Sequence, residues 1–164
     1  MTRLALHRRI LARPSIVFAA MTSAEGIAAW WGPDELPVSF AEVDARVGGA
    51  FRVRFPTTDG LEHEARGEYL VVDPPRRLVM SWRWTSGGEP GELGRTSRIE
   101  IELTPVAGGV ELSLMHGDLV SATSELHHWQ GWSGSLDKLV RHLATETASV
   151  DAIAGDGNDD GRKT

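Results

Sequence analysis

Near the C-terminal end, HHWQGWSGSLDKLVRHL (127–143) places Trp129, Trp132, Leu136, Leu139, Val140 and Leu143 three or four residues apart. In a helix these residues share one face, opposite Gln130, Ser135, Asp137, Lys138, Arg141 and His142. A stripe that opens on two indoles and closes on aliphatics needs a broad apolar partner. Most of the remaining chain alternates with period two, the pattern of half-buried strands, so the partner is predicted to be a sheet.

The alternation defines the elements in order. Leu4, Leu6 and Ile10 mark a first strand whose apolar set is broken by Arg8. Pro14 suits the first turn of a helix through SIVFAAM, and Thr22-Ser23-Ala24-Glu25 fits a capping box that opens a second helix carrying Ile27, Trp30 and Trp31. Gly32-Pro33 ends it. Six strands are then predicted: from Leu36 to Val43, through Phe51, Val53 and Phe55, from Leu61 to Val71, from Leu78 to Trp84, from Ile99 to Leu103, and from Val110 to His116. Gly48-Gly49, Asp59-Gly60, Asp73-Pro74-Pro75 and Gly108-Gly109 punctuate them, and TSGGEPGELG reads as a mobile loop. Short connections imply antiparallel pairing, and one apolar face per strand implies a sheet covered on one side. The predicted class is α+β: a curved seven-stranded antiparallel sheet around a long C-terminal helix that begins near Ser121, with two short helices between strands one and two. Residues 1–146 form the expected ligand-binding domain. The small, polar TASVDAIAGDGNDDGRKT (147–164) is expected to be disordered.

Composition narrows the function classes. The chain has 164 residues, no cysteine and a net charge of −6. Disulfides, thiol catalysis and Cys-bound zinc are excluded, and a reducing, cytoplasmic setting fits. No basic stripe argues for nucleic acid. No apolar run is long enough to span a membrane, and the N-terminus reads as a strand rather than a signal peptide.

Candidate chemistry centres on aromatic side chains that can face the gap between helix and sheet. The predicted ligand-binding set is Trp30, Trp31, Phe51, Phe55, His63, Met80, Trp82, Trp84, Leu114, His116, Trp129, Trp132 and Leu136. Such rings line either a ligand cavity or a solid core. His63 and His116 sit on apolar strand faces, where a neutral imidazole donates one hydrogen bond and accepts one. They are the acid–base candidates if the protein is an enzyme. Adjacent His127 and His128 lack metal-site spacing, and neither a metal nor a cofactor is expected. Arg8 either anchors a ligand or snorkels outward. Glu62, Glu64 and Glu68 read as a solvated strand face with Arg52, Arg54, Arg66 and Arg98 as cross-strand partners, and no acid is assigned to the apolar face. Gly131 and Gly134, which lie off the helix stripe, are either tolerated surface glycines or the close approach of another backbone, as in a homodimer.

The stretches MTSAEGIAAWWG, RVGGAFRVRF, GEYLVVDPPRRLVMSWRW, IEIELTPVAGGVELSLMHGD and GWSGSLDKLVRHL together resemble, in this order, the heat-shock-protein-90 ATPase activator homologue-like family of the START and birch-allergen (SRPBCC) superfamily. The resemblance spans roughly residues 3–145. It implies the helix-grip fold, with a cavity between sheet and helix and two small helices at one mouth. It also implies an apolar ligand of lipid, aromatic or polyketide class, with a cyclase- or hydrolase-type enzyme on the same scaffold and a protein-interaction domain as alternatives. Co-chaperone activity in that family is associated with a longer eukaryotic protein that has an extra N-terminal domain. This chain starts at the first strand, so chaperone stimulation is not expected of it.

Overall fold

The computed structural model describes the backbone of residues 2–88 and 91–157, with side chains as far as Ala144. Its elements are β1 (Thr2–Ile10), α1 (Pro14–Thr22), α2 (Ala24–Trp30), β2 (Phe40–Val43), β3 (Ala50–Pro56), β4 (Glu62–Asp73), β5 (Arg77–Ser86), β6 (Thr96–Val106), β7 (Gly109–Leu119) and α3 (Ala122–Gly157). The strands form one antiparallel sheet in the order β1-β7-β6-β5-β4-β3-β2, so β1 and β2 are the two edges, β1 closes on β7, and each strand from β3 onward pairs with its predecessor. This is the helix-grip arrangement that the alternation predicts.

Inward residues of the strands are almost completely buried, among them Leu6 on β1, Val53 on β3, Ala65 on β4, Met80 on β5, Ile101 on β6 and Leu112 and Leu114 on β7. Trp132, Leu136, Leu139 and Leu143 seal this layer from α3, which runs along β1 and against α2. Arg8 does not enter the interior. Its Nε donates to Asp137 at 2.9 Å and its Nη2 to Ser133 Oγ at 2.9 Å, tying β1 to α3. On the other flank, Arg141 pairs with Asp34 at 2.7 Å and Lys138 Nζ donates to the Trp31 carbonyl at 3.4 Å, fixing α3 to the end of α2.

Three local readings change. Helix α2 is capped by Ser23, whose hydroxyl accepts from Gly26 N–H at 3.0 Å, while Thr22 donates to the Phe18 carbonyl within α1. The third helical position is therefore Gly26 rather than Glu25, and a Cβ there would lie 2.4 Å from the Ala20 carbonyl. The tight α1–α2 corner demands glycine where a capping box needs an acid. Strand β2 starts at Phe40, because 34–36 form a turn and Pro37 cannot donate to a ladder. Glu64 is less solvated than predicted, although its cross-strand partner Arg54 is the expected one, at 2.9 Å. The α3 backbone is helical as far as Gly157. TASVDAIA contains no glycine or proline to stop a helix already propagating. Residues 158–164 lie outside the described residues.

Candidate functional site

Between the N-terminal half of α3 and the β3–β5 end of the sheet lies a cavity of about 440 Å³, open on one side. Its apolar wall is built from Trp31 after α2, Phe55 on β3, Trp82 and Trp84 on β5, and Trp132 on α3. The rings brace one another. Trp31 packs edge-on against Trp132 at 5.5 Å and lies parallel to Phe55 at 6.4 Å, and Trp82 meets Trp84 edge-on at 5.2 Å. Such mutual contacts fix ring orientation. His63 joins the wall edge-on to Trp84, at 5.8 Å. The mouth is rimmed by Gly32-Pro33, Pro56-Thr57 and, across from them, Gln130, Gly131 and Gly134 of α3.

The predicted set thus divides. Trp31, Phe55, His63, Trp82, Trp84 and Trp132 line the cavity. Trp30, Phe51, Met80, Leu114, His116 and Leu136 do not line it but fill the core beneath, each no more than 1% exposed. Trp30 is held there by its indole N–H, which donates to the Ala20 carbonyl at 3.0 Å. Trp129 departs most from expectation: it is 43% exposed. A helix turns about 100° per residue, which puts Trp129 about 60° from Trp132 on the flank away from Gly131 and Ser135. The cavity lies on the glycine flank, so the apolar stripe points to the core and not to the opening. Among the described residues a Cβ added at Gly131 or at Gly134 would meet nothing within 4 Å, so no other described backbone approaches them, and the space they leave is part of the cavity.

Two polar clusters stand behind the rings. In the first, Trp132 N–H donates to His116 Nδ1 at 3.0 Å, and His116 Nε2 meets Ser97 Oγ at 2.7 Å. An acceptor at Nδ1 places the imidazole proton on Nε2, which donates to the serine. Ser97 in turn donates to the Trp82 carbonyl at 3.3 Å. Burial, and then His128 nearby, hold His116 well below its ordinary pKa of 6.5, so it is neutral at pH 7. With both nitrogens engaged and no exposed surface, His116 orients Trp132 and Trp82 rather than meeting a ligand itself.

Sequence reasoning missed the second cluster. Glu92, in the glycine-rich loop, is 5% exposed and packs inward. Its Oε1 lies 3.0 Å from His128 Nε2 and is hydrogen-bonded by the Ser124 hydroxyl. Glu92 and His128 both line the cavity. An acid therefore does sit against the apolar wall, contrary to expectation. A loop has no periodicity from which its burial could be read, and His128 shares a helix flank with buried Ser124 and Ser135 only once the helix phase is known. Two further donors, the indole N–H groups of Trp31 and Trp82, are buried without a hydrogen-bond partner among the described residues. Among the described residues no group of three or more His, Asp or Glu could hold a metal ion, and no helix is long and apolar enough to cross a membrane.

A single-sided antiparallel sheet gripping a long helix over a ring-lined cavity defines the chain as a helix-grip, SRPBCC-type domain. It belongs to the family described as activator of Hsp90 ATPase homolog 1-like protein, whose sequence profile matches residues 11–144. Among solved structures, the chain is 28% identical to the AHSA1 protein of Silicibacter pomeroyi, with 88% of this chain and 99% of that one covered at a TM-score of 0.76. It is 27% identical to protein CV1439 of Chromobacterium violaceum, covering 86% and 96% at a TM-score of 0.76. DynU16, from the dynemicin biosynthetic locus, shares the fold at 21% identity and a TM-score of 0.69, with 88% of this chain and 48% of that chain covered. A comparison with curated proteins gives no match.

Proposed function

We propose that the protein binds an apolar small molecule, of lipid, aromatic or polyketide class, that carries at least one hydrogen-bond acceptor. The observation that carries this reading is the ring-lined cavity of about 440 Å³, whose volume lies in the range of small-molecule sites. Apolar transfer supplies affinity at about 25 cal/mol per Å² buried. The partnerless indole N–H groups of Trp31 and Trp82 support an acceptor on the ligand, since a buried donor left unpaired costs about 1–3 kcal/mol. The opening of Gly131 and Gly134 onto the cavity supports a ligand role for that flank over a homodimer contact. A cytoplasmic location belongs to the same proposal and rests on the lack of cysteine.

Four of the six tryptophans wall the cavity, so intrinsic fluorescence reports its filling. Titration with a fatty acid, a sterol and an aromatic polyketide should give a saturable change with at least one class, and native mass spectrometry should show the same compound retained. No response to any class, together with a crystal structure in which side chains fill the space, would overturn the proposal.

The Glu92–His128 pair supports a second reading, acid–base catalysis on the bound molecule. It replaces His116 as the acid–base candidate, while His63 lines the same wall. For a compound found to bind, turnover that Glu92→Gln abolishes with little change in affinity would favour this reading. Indefinite recovery of the compound unchanged would exclude it for that compound.

A further inference from the structure

On the sheet face turned away from α3, successive strands bring three arginines side by side. Arg52 on β3 is the Cα partner of Arg66 on β4, and Arg66 is the partner of Arg83 on β5. The row continues to Glu42 on β2 at one end and Thr96 on β6 at the other. Partners in an antiparallel ladder project to the same face. Their chain neighbours Val53, Ala65 and Trp82 are buried, so the arginines point outward. At the usual spacing between strands, the three Cα atoms span about 10 Å.

Like charges directly opposite one another destabilise a sheet, and local carboxylates relieve this row only in part. Arg66 Nε donates to Glu64 at 2.7 Å. Arg52 lies over the Phe40 ring at 4.9 Å, and its Nε–H is buried with no hydrogen-bond partner among the described residues. Arg83 is exposed and forms no ion pair among the described residues. The three line one depression of about 740 Å³ together with Ser81 and Thr96. Glu42 and Glu68 line it too, and neither forms an ion pair with the arginines among the described residues. A chain with a net charge of −6 thus presents a local line of guanidinium groups with donors to spare.

We propose that this row is a binding site for a phosphate group, carried either by a soluble phosphorylated molecule or by a lipid headgroup. A phosphate offers several acceptor oxygens and up to two negative charges, matching guanidinium forks that approach from adjacent strands. It offsets the repulsion between Arg66 and Arg83 and gives the Arg52 N–H an acceptor. The Thr96 hydroxyl, next to Arg83, is a further donor. The site lies on the opposite face of the sheet from the ring-lined cavity and is independent of it.

Isothermal titration with inorganic phosphate and pyrophosphate, at ionic strength held constant with sodium chloride, tests the proposal on the full chain. Saturable one-to-one binding is expected, weakened about tenfold or more in Arg83→Gln and in Arg66→Gln, and tightened in Glu68→Gln. Arg83 is exposed, so Arg83→Gln should fold. Without phosphate its melting temperature should equal or exceed that of the parent, and it should lose the stabilisation that pyrophosphate gives the parent. Sedimentation with phosphatidylcholine vesicles containing phosphatidic acid separates the two sources. Capture that Arg83→Gln abolishes, beside phosphate binding, assigns a headgroup; phosphate binding without capture assigns a soluble ligand. Absence of saturable binding at constant ionic strength, or equal affinity in the parent and both arginine variants, would overturn the site.

Discussion

His116 shows how one buried imidazole positions a wall it does not belong to. Its two nitrogens bind Trp132 and Ser97, and the serine reaches the backbone of Trp82, so two cavity rings depend on one neutral side chain. Because its pKa is lowered on folding, the unfolded chain takes up a proton that the folded chain refuses. Stability is therefore complete above the ordinary value of 6.5 and falls as pH drops below it. His116→Leu should flatten that slope by up to about 1.4 kcal/mol per pH unit. At pH 7.5 it should cost about 1–3 kcal/mol through the unpaired Trp132 and Ser97 groups. Denaturant melts at several pH values measure both. Glu64 has the same sign in a more acid window. The Thr85 hydroxyl and the guanidinium of Arg54, then that of Arg66, hold its carboxyl down at about 2, against partial burial that pushes it up. Its contribution is present above the ordinary 4.5 and is lost as pH falls from there towards 2. Solvent screening of the exposed arginines limits it to about 1 kcal/mol. Glu64→Gln should remove this part of the acid dependence and leave melts at pH 7–9 parallel to those of the parent.

Helix α3 carries both the core seam and the cavity flank, and only the seam was legible in the sequence. Trp132, Leu136, Leu139 and Leu143 repeat at helical spacing and are all buried. Periodicity marks a stripe but not how wide a band of it is covered, which is why Trp129, about 60° from Trp132, read as buried and lies exposed. The flank that meets the cavity is written in small residues, Gly131, Gly134 and Ser135, that leave no hydrophobic signal. Those glycines allow a prediction that separates cavity from core. Among the described residues neither has a neighbour within 4 Å of an added Cβ. Gly131→Ala and Gly134→Ala should each stabilise the helix by about 1 kcal/mol. Gly131→Leu should be at least as stable as the parent while filling the mouth, so a compound that quenches parent fluorescence should no longer do so. A stabilised Gly131→Leu that still binds would move the ligand elsewhere.

For the molecule entire, fold and site were legible to different degrees for a physical reason. Alternation reports which face of a strand is apolar, and short Gly- and Pro-marked turns report that neighbours pair antiparallel, so the sheet and its gripping helix could be assembled from local signals. Whether inward rings interlock or stand apart depends on the distance between layers, which no local signal encodes. Here the layers close fully over β1 and β7, where α3 packs, and part over β3–β5. The aromatic set consequently split between core and wall, and Glu92 reached the wall from a loop that carried no pattern. This division has a thermodynamic consequence. The cavity walls come from α2's end, β3, β4, β5, the glycine-rich loop and α3, so a molecule that fills it contacts both layers at the place where they hold each other least. Such a ligand binds only the folded chain. At a hundredfold excess over its dissociation constant it should stabilise that chain globally by about 2.7 kcal/mol. Hydrogen exchange should register this as slower opening of α3 and β5 together, including amides far from the cavity. If protection rose only at the glycine-rich loop while the melting temperature stayed fixed, the compound would be sitting on the mouth and not between sheet and helix.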